Sequence, residues 1–252
     1  PGLKEFTKLR IGNGKALAKA VTESPKYFAS LRTNAAKVDA LKPAMLAAFQ
    51  CLRNLYPAAV TPEVYFLVGR MNSAGTVDAT KLLIGFDMFG KTDEASIAEL
   101  GAWHRAVVSP VERLPYIVAH ELIHAQQLPP KDNSLLGAAL FEGVADFVGE
   151  LISGQTINPH LHAFARNRHL ELWQAFEPAM LGGDKGRWLY QGENATPEWP
   201  ADLGYYMGYR IAEAYYQRTT DKSAAVRDML NITDPRAFLK ASGYAEKMRG
   251  RK

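Results

Sequence analysis

Apolar residues along this chain fall first at helical spacing, then in two short runs of strand character, then at helical spacing again towards the end. PAMLAAFQCLRNLY (43–56) has the first pattern, with Pro43 acceptable in a first turn and Pro57 and Pro62 closing the segment. EVYFLVG (63–69), rich in Val, Tyr and Phe, reads as a buried strand. RMNSAGTVDAT (70–80) carries turn chemistry in Asn72, Ser73 and Gly75. KLLIGFDMFG (81–90) resumes as a second strand, so the two runs are expected to form an antiparallel hairpin or to lie side by side.

Beyond residue 90 the pattern turns helical. SPVE (109–112) predicts a helix start, with Ser109 as cap, Pro110 in the first helical position and Glu112 as reciprocal partner. The stop is Pro129-Pro130, which predicts a helix over 110–127. After the polar loop PPKDNS, LLGAALFEGVADFVGELISG reads as a helix ending at Gly154. Further helices are expected over Pro159–Phe176 and Asp202–Arg218, with a short one at the end. No linker divides the chain. The expectation is one α+β domain over 1–252, predominantly helical: N-terminal helices 1–60, a small antiparallel β region about 63–90, helices 110–154, and C-terminal helices 159–248.

Composition narrows the class. The 252 residues are 47% hydrophobic and 22% charged, as in ordinary globular proteins, and no apolar run approaches the ~20 residues of a membrane-spanning helix. A net charge of +4 is too mild to demand nucleic acid. Basic residues gather at both ends (Lys4, Lys8, Arg10, Lys15, Lys19; Lys247, Arg249, Arg251, Lys252) and read as solvated helix faces and a frayed tail. The single cysteine, Cys51, excludes an internal disulfide and reads as a buried thiol. The chain opens on Pro1 rather than Met, which raises the expectation of removed upstream residues.

The candidate chemistry lies in VAHELIHAQQ (118–127). On a helix, residues four apart share a face, so His120 and His124 aim two imidazoles at one ion. Glu121 projects about 100° around the axis and reaches a water on the metal rather than the metal itself. Zinc at a catalytic site takes three protein ligands and keeps one position open. FEGVADF supplies the third: Glu142 and Asp146 share a face of the next helix, and the short loop favours an antiparallel pair. The expected set is His120, His124, Glu142 and a water, with Asp146 accepting a ligand histidine's other N–H. Two charges embedded among Phe141, Val144, Ala145 and Phe147 call for partners.

HExxH followed by ExxxD resembles a gluzincin-type metallopeptidase. HELIHAQQ…LFEGVADFV and the later DLGYYMGYRIAEAYY are similar to the predicted zinc-dependent proteases of the DUF2268 group and to the related gliding-motility lipoprotein GldB, over roughly residues 45 to 245. The resemblance implies a zincin-like fold with the β region packed on the HExxH helix, a Zn2+ cofactor and a peptide or protein substrate. It also carries an alternative, a non-catalytic zinc-containing envelope or interaction protein of the GldB kind. Export to the periplasm or outside the cell is an expectation from the resemblance and the missing start.

In the peptidase reading, zinc lowers the pKa of its water and polarises the scissile carbonyl. Glu121 takes the water's proton and passes it to the leaving amine. The second oxyanion donor is sought in GYYMGYRIAEAYY, where Tyr205 and Tyr209 are four apart and Gly204 and Gly208 allow close helix approach. Arg210 reads as a surface ion pair. KLLIGFDMF is the candidate edge for an extended substrate. His104, His160, His162 and His169 read as packing or surface histidines. Trp188 and Trp199 flank LYQGENATPE, a loop of a length that suits a rim or lid.

Overall fold

The computed structural model describes residues 1–78, 80–92 and 97–250. Ala79 of the expected turn, and Arg251 and Lys252 of the basic end, lie outside them. The fold is α+β and predominantly helical, with one small sheet, and the chain divides into two compact units: Pro1–Cys51 with Val60–Ala125, and Leu52–Ala59 with Gln126–Lys252.

In the first unit, α1 (Gly2–Phe6) runs into a wider turn over Thr7–Ile11, followed by α2 (Gly14–Glu23), α3 (Pro25–Ala35) and α4 (Val38–Leu55). Asn13 caps α2 by accepting from the Ala16 N–H at 3.0 Å. α4 starts five residues before Pro43, which therefore sits inside the helix rather than in its first turn. VDALK upstream consists of tolerated helix residues with Asp39 favourably placed at the start.

Three strands follow: β1 (Glu63–Leu67), β2 (Gly75–Asp78) and β3 (Lys81–Gly85), in the order β1-β3-β2. Of the two expected arrangements the side-by-side one holds, and the antiparallel pairing of the two runs is corrected. β1 lies parallel to β3, and the antiparallel partner of β3 is β2, which occupies part of the expected turn. β3 is the central strand, not an edge. Its Leu82, Leu83 and Ile84 are fully buried, as befits a strand covered on both faces. β3 also stops at Gly85, short of residue 90, and a tight turn over Phe86–Met88 follows. The outer positions belong to β1 and β2. Phe6, Ile11 and Leu83 form a core with Leu17, Tyr65 and Leu67 against it.

The unit closes with α5 (Ala102–Val107) and α6 (Leu114–His124), which packs on β2 and β3. Ser109-Pro110 does not start α6. The Ser109 N–H donates to the Met88 carbonyl, its carbonyl accepts from Lys91, and Val111 N–H donates back to the Lys91 carbonyl. The backbone there is committed to a parallel bridge and stays extended. A single 3-10 turn, Val111–Arg113, intervenes, and Pro115 stands in the first turn of α6. The helix ends at His124 rather than 127.

The second unit contains α7 (Leu135–Ser153), α8 (Pro159–Ala165), α9 (His169–Phe176), α10 (Leu203–Arg218), α11 (Lys222–Leu230), α12 (Pro235–Ser242) and α13 (Tyr244–Arg249). α7 is delimited as its sequence predicts: the Ser134 hydroxyl accepts from Gly137 N–H, and Gly154 ends the helix at φ 84°. The expected helix 159–176 is two helices, because Arg168 leaves helical geometry to cover Phe164 and pair with Glu171. α10 lies along α7. A β-carbon on Gly143 would fall 2.2 Å from the Gly208 carbonyl carbon, and one on Gly208 would fall 1.8 Å from the Ala139 carbonyl oxygen. Both glycines are required by this backbone-to-backbone approach. Among the described residues no helix is long and apolar enough to cross a membrane.

Candidate metal centre

α6 is apolar almost all round, and the residues from Ile117 to Ile123 are all buried. Its helical repeat brings His120 and His124 onto one face. Their Nε2 atoms lie 3.0 Å apart, with the rings edge to face at 4.6 Å and 87°. Two Zn–N bonds of about 2.05 Å at a tetrahedral angle would set the nitrogens about 3.3 Å apart, so the pair is close to a chelating arrangement. Glu121, 7% exposed, points instead towards the sheet. A β-carbon on Gly75 would meet its Oε1 at 2.3 Å, so the glycine in the outer strand makes room for this carboxylate.

In the second unit α7 presents Glu142 and Asp146, 8% and 2% exposed. The Tyr190 hydroxyl donates to Glu142 Oε1 at 2.8 Å, and Asn158 Nδ2 donates to Asp146 Oδ2 at 2.7 Å. Asp202 stands nearby. Burial raises its pKa first, and the charges of Glu142 and Asp146 raise it further. Three carboxylates that feel one another in poorly hydrated surroundings form a field that a cation relieves. Facing imidazole nitrogens on one helix and crowded carboxylates on another are the donor chemistry of a zinc site, and the residues fit the ion.

A family model described as a predicted Zn-dependent protease (DUF2268) matches residues 103–235, just over half of the chain. The chain belongs to the DUF2268 family. The matched region takes in α6, α7 and α10 entirely. No match was found among curated proteins or among solved structures. Membership brings the family's description, zinc-dependent proteolysis by prediction, and no substrate.

The other residues singled out in this DUF2268 sequence fall into two groups. Tyr205 is half-buried on α10, and loss of hydration raises its pKa well above 10.0, with the charges of Glu142 and Asp202 adding to the shift. It is a neutral donor in the field of the Glu142 carboxylate. Tyr209 is directed elsewhere. Its ring packs on Phe147 and His162, at 5.3 and 4.5 Å between centroids, and its hydroxyl is hydrogen-bonded to Glu150, two turns along α7 from Glu142. Arg210 pairs with Glu213 at 2.8 Å. His104 Nε2 lies 2.9 Å from the Met71 carbonyl oxygen, and His169 Nδ1 bonds the Tyr206 hydroxyl.

Tyr190 is the residue that the sequence reading missed. It sits in the loop between Trp188 and Trp199, and nothing in the periodicity marks it. The one available signal was the loop's position between two tryptophans, which now stack edge to face at 5.1 Å.

Proposed function

We propose that this chain is a zinc-dependent peptidase in which His120, His124 and Glu142 hold the ion. The observation that carries the reading is the pair of imidazoles that α6 sets on one face, with their Nε2 atoms 3.0 Å apart. The family description agrees with it. Bound there, zinc supplies a water of lowered pKa and polarisation of the scissile carbonyl.

The chain's own groups do the rest. Glu121 takes the proton of the attacking water and delivers it to the leaving amine. It sits one residue beyond His120, turned off the chelating face, so it serves as base and not as ligand. Asp146 orients the site through its hydrogen-bonded carboxylate. Tyr205 supplies a neutral hydrogen bond to the oxyanion, a role for which its raised pKa keeps it protonated. Tyr209, engaged with Glu150, braces α10 against α7. An extended substrate pairs with β2, the one of the two outer strands that carries Gly75 beside Glu121.

The test is cleavage of a mixed peptide library by the zinc-loaded protein, with Glu121→Gln beside it and new termini read by mass spectrometry. Removing a general base slows the reaction by about 10²–10⁴-fold, so cleavage should all but vanish in the variant. Cleavage that survives the substitution, or its absence from the loaded wild type, contradicts the assignment.

A further inference from the structure

Near the start of the loop from Trp188 to Asp202 stands a tyrosine, Tyr190, whose ring gains little from its position. Tyr190 is 62% exposed, yet its hydroxyl reaches Glu142, which is 8% exposed. The O–H donates to Oε1 at 2.8 Å. An aromatic residue placed for packing buries its ring. Here the ring stays in solvent and the hydrogen bond is what the geometry preserves.

The backbone is arranged to hold it there. Tyr190 adopts φ 62° and Asp202 φ 66°, left-handed conformations that non-glycine residues keep only where the surroundings over-determine them. Three hydrogen bonds do so. Tyr190 N–H donates to Asp202 Oδ1 at 2.7 Å, Asp202 N–H donates to Gln191 Oε1 at 2.7 Å, and Gly204 N–H donates to the Trp188 carbonyl at 2.8 Å. Gly204 lets the start of α10 come this close, since a β-carbon on it would lie 2.7 Å from Leu189 and 3.0 Å from the Trp188 oxygen. The loop is thus clamped at its base with the phenol aimed at one carboxylate.

We propose that Tyr190 is a positioning residue for the metal ligand Glu142: its hydroxyl anchors one carboxylate oxygen so that the side chain meets the ion in a fixed orientation. This rests on the assignment of Glu142 as a ligand. A glutamate has three rotatable bonds, and a carboxylate tethered through one oxygen is already ordered before the ion arrives. Such outer partners contribute about 10–100-fold to metal affinity.

The experiment measures zinc affinity of the full chain by competition with a chromophoric chelator, for wild type, Tyr190→Phe and Asp202→Ala, with the absorption spectrum of the cobalt-loaded forms as a second readout. Tyr190→Phe keeps the ring and removes only the hydroxyl. It should weaken zinc binding by about 10–100-fold and shift the cobalt bands. Asp202→Ala, which retains the hydroxyl but unclamps its backbone, should weaken binding too. Circular dichroism of the metal-free proteins controls for folding. If wild type binds zinc and Tyr190→Phe binds it within twofold with an unchanged cobalt spectrum, the positioning role is wrong while the metal centre stands. If wild type itself binds neither metal, the metal centre is wrong and the positioning role goes with it.

Discussion

Gly75 and Glu121 leave no room for a β-carbon between them: one built on Gly75 would lie 2.3 Å from Oε1 and 2.6 Å from the carboxyl carbon. Gly75→Ala therefore pushes the proposed general base out of position without touching a proposed ligand. A displacement on the order of 1 Å in a reacting group lowers rates by about 10²-fold. The expected result is a kcat/KM loss of that order with zinc content unchanged. Full activity in Gly75→Ala would show that this carboxylate has no fixed place in the reaction.

Tyr205 and Tyr209 occupy the same face of α10 and separate by partner. Tyr205→Phe removes the proposed oxyanion donor, and loss of one such donor lowers kcat by about 10²–10³-fold. Tyr209→Phe breaks the bond to Glu150 and should lower stability by about 1 kcal/mol, with a smaller effect on kcat. Steady-state kinetics and urea unfolding of the two variants distinguish these outcomes. Equal kcat losses would place both hydroxyls at the reaction.

The contact between α7 and α10 admits no extra atom. Gly208→Ala sets a methyl 1.8 Å from a backbone carbonyl oxygen, which no side-chain rotation relieves. Overpacking of this kind is expected to lower stability by about 3 kcal/mol or more, read as a fall in the urea midpoint. An unchanged midpoint would mean that the helices separate easily.

Local signals carried part of this picture. The limits of α7 were legible because Ser134 and Gly154 act within their own turns. The pairing of His120 with His124 followed from helical spacing alone. The sheet was not legible in the same way. GTVD is only four residues long and opens on a glycine, so its turn-like composition hid a strand, and strand order depends on long-range contacts that no local period encodes. Ser109-Pro110 carried cap residues, yet its backbone groups were taken by Met88 and Lys91, a tertiary demand that overrode the local preference. Tyr190 was hidden for a related reason, since its role depends on a left-handed backbone held by Asp202, twelve residues on.

Tyr27, fully buried, donates its hydroxyl to the Asp87 carbonyl at 2.6 Å. Burial foremost, and then the Asp87 charge, push its pKa above the ordinary 10.0. The folded state thus holds this proton more tightly than the unfolded chain. The associated stability is complete below pH 10 and is lost as pH rises above it, by up to about 1.4 kcal/mol per pH unit. Thermal midpoints between pH 8 and 11 should fall above pH 10 in wild type and fall less steeply in Tyr27→Phe. Parallel curves would contradict this origin for the alkaline loss.

The central claim concerns one ion held by two imidazoles and a carboxylate, and metal analysis of the purified, dialysed protein tests it most directly. The account predicts one zinc ion per chain in wild type and almost none in His124→Ala. Wild type that retains no zinc after loading, or a His124→Ala protein that retains as much as wild type, would contradict it.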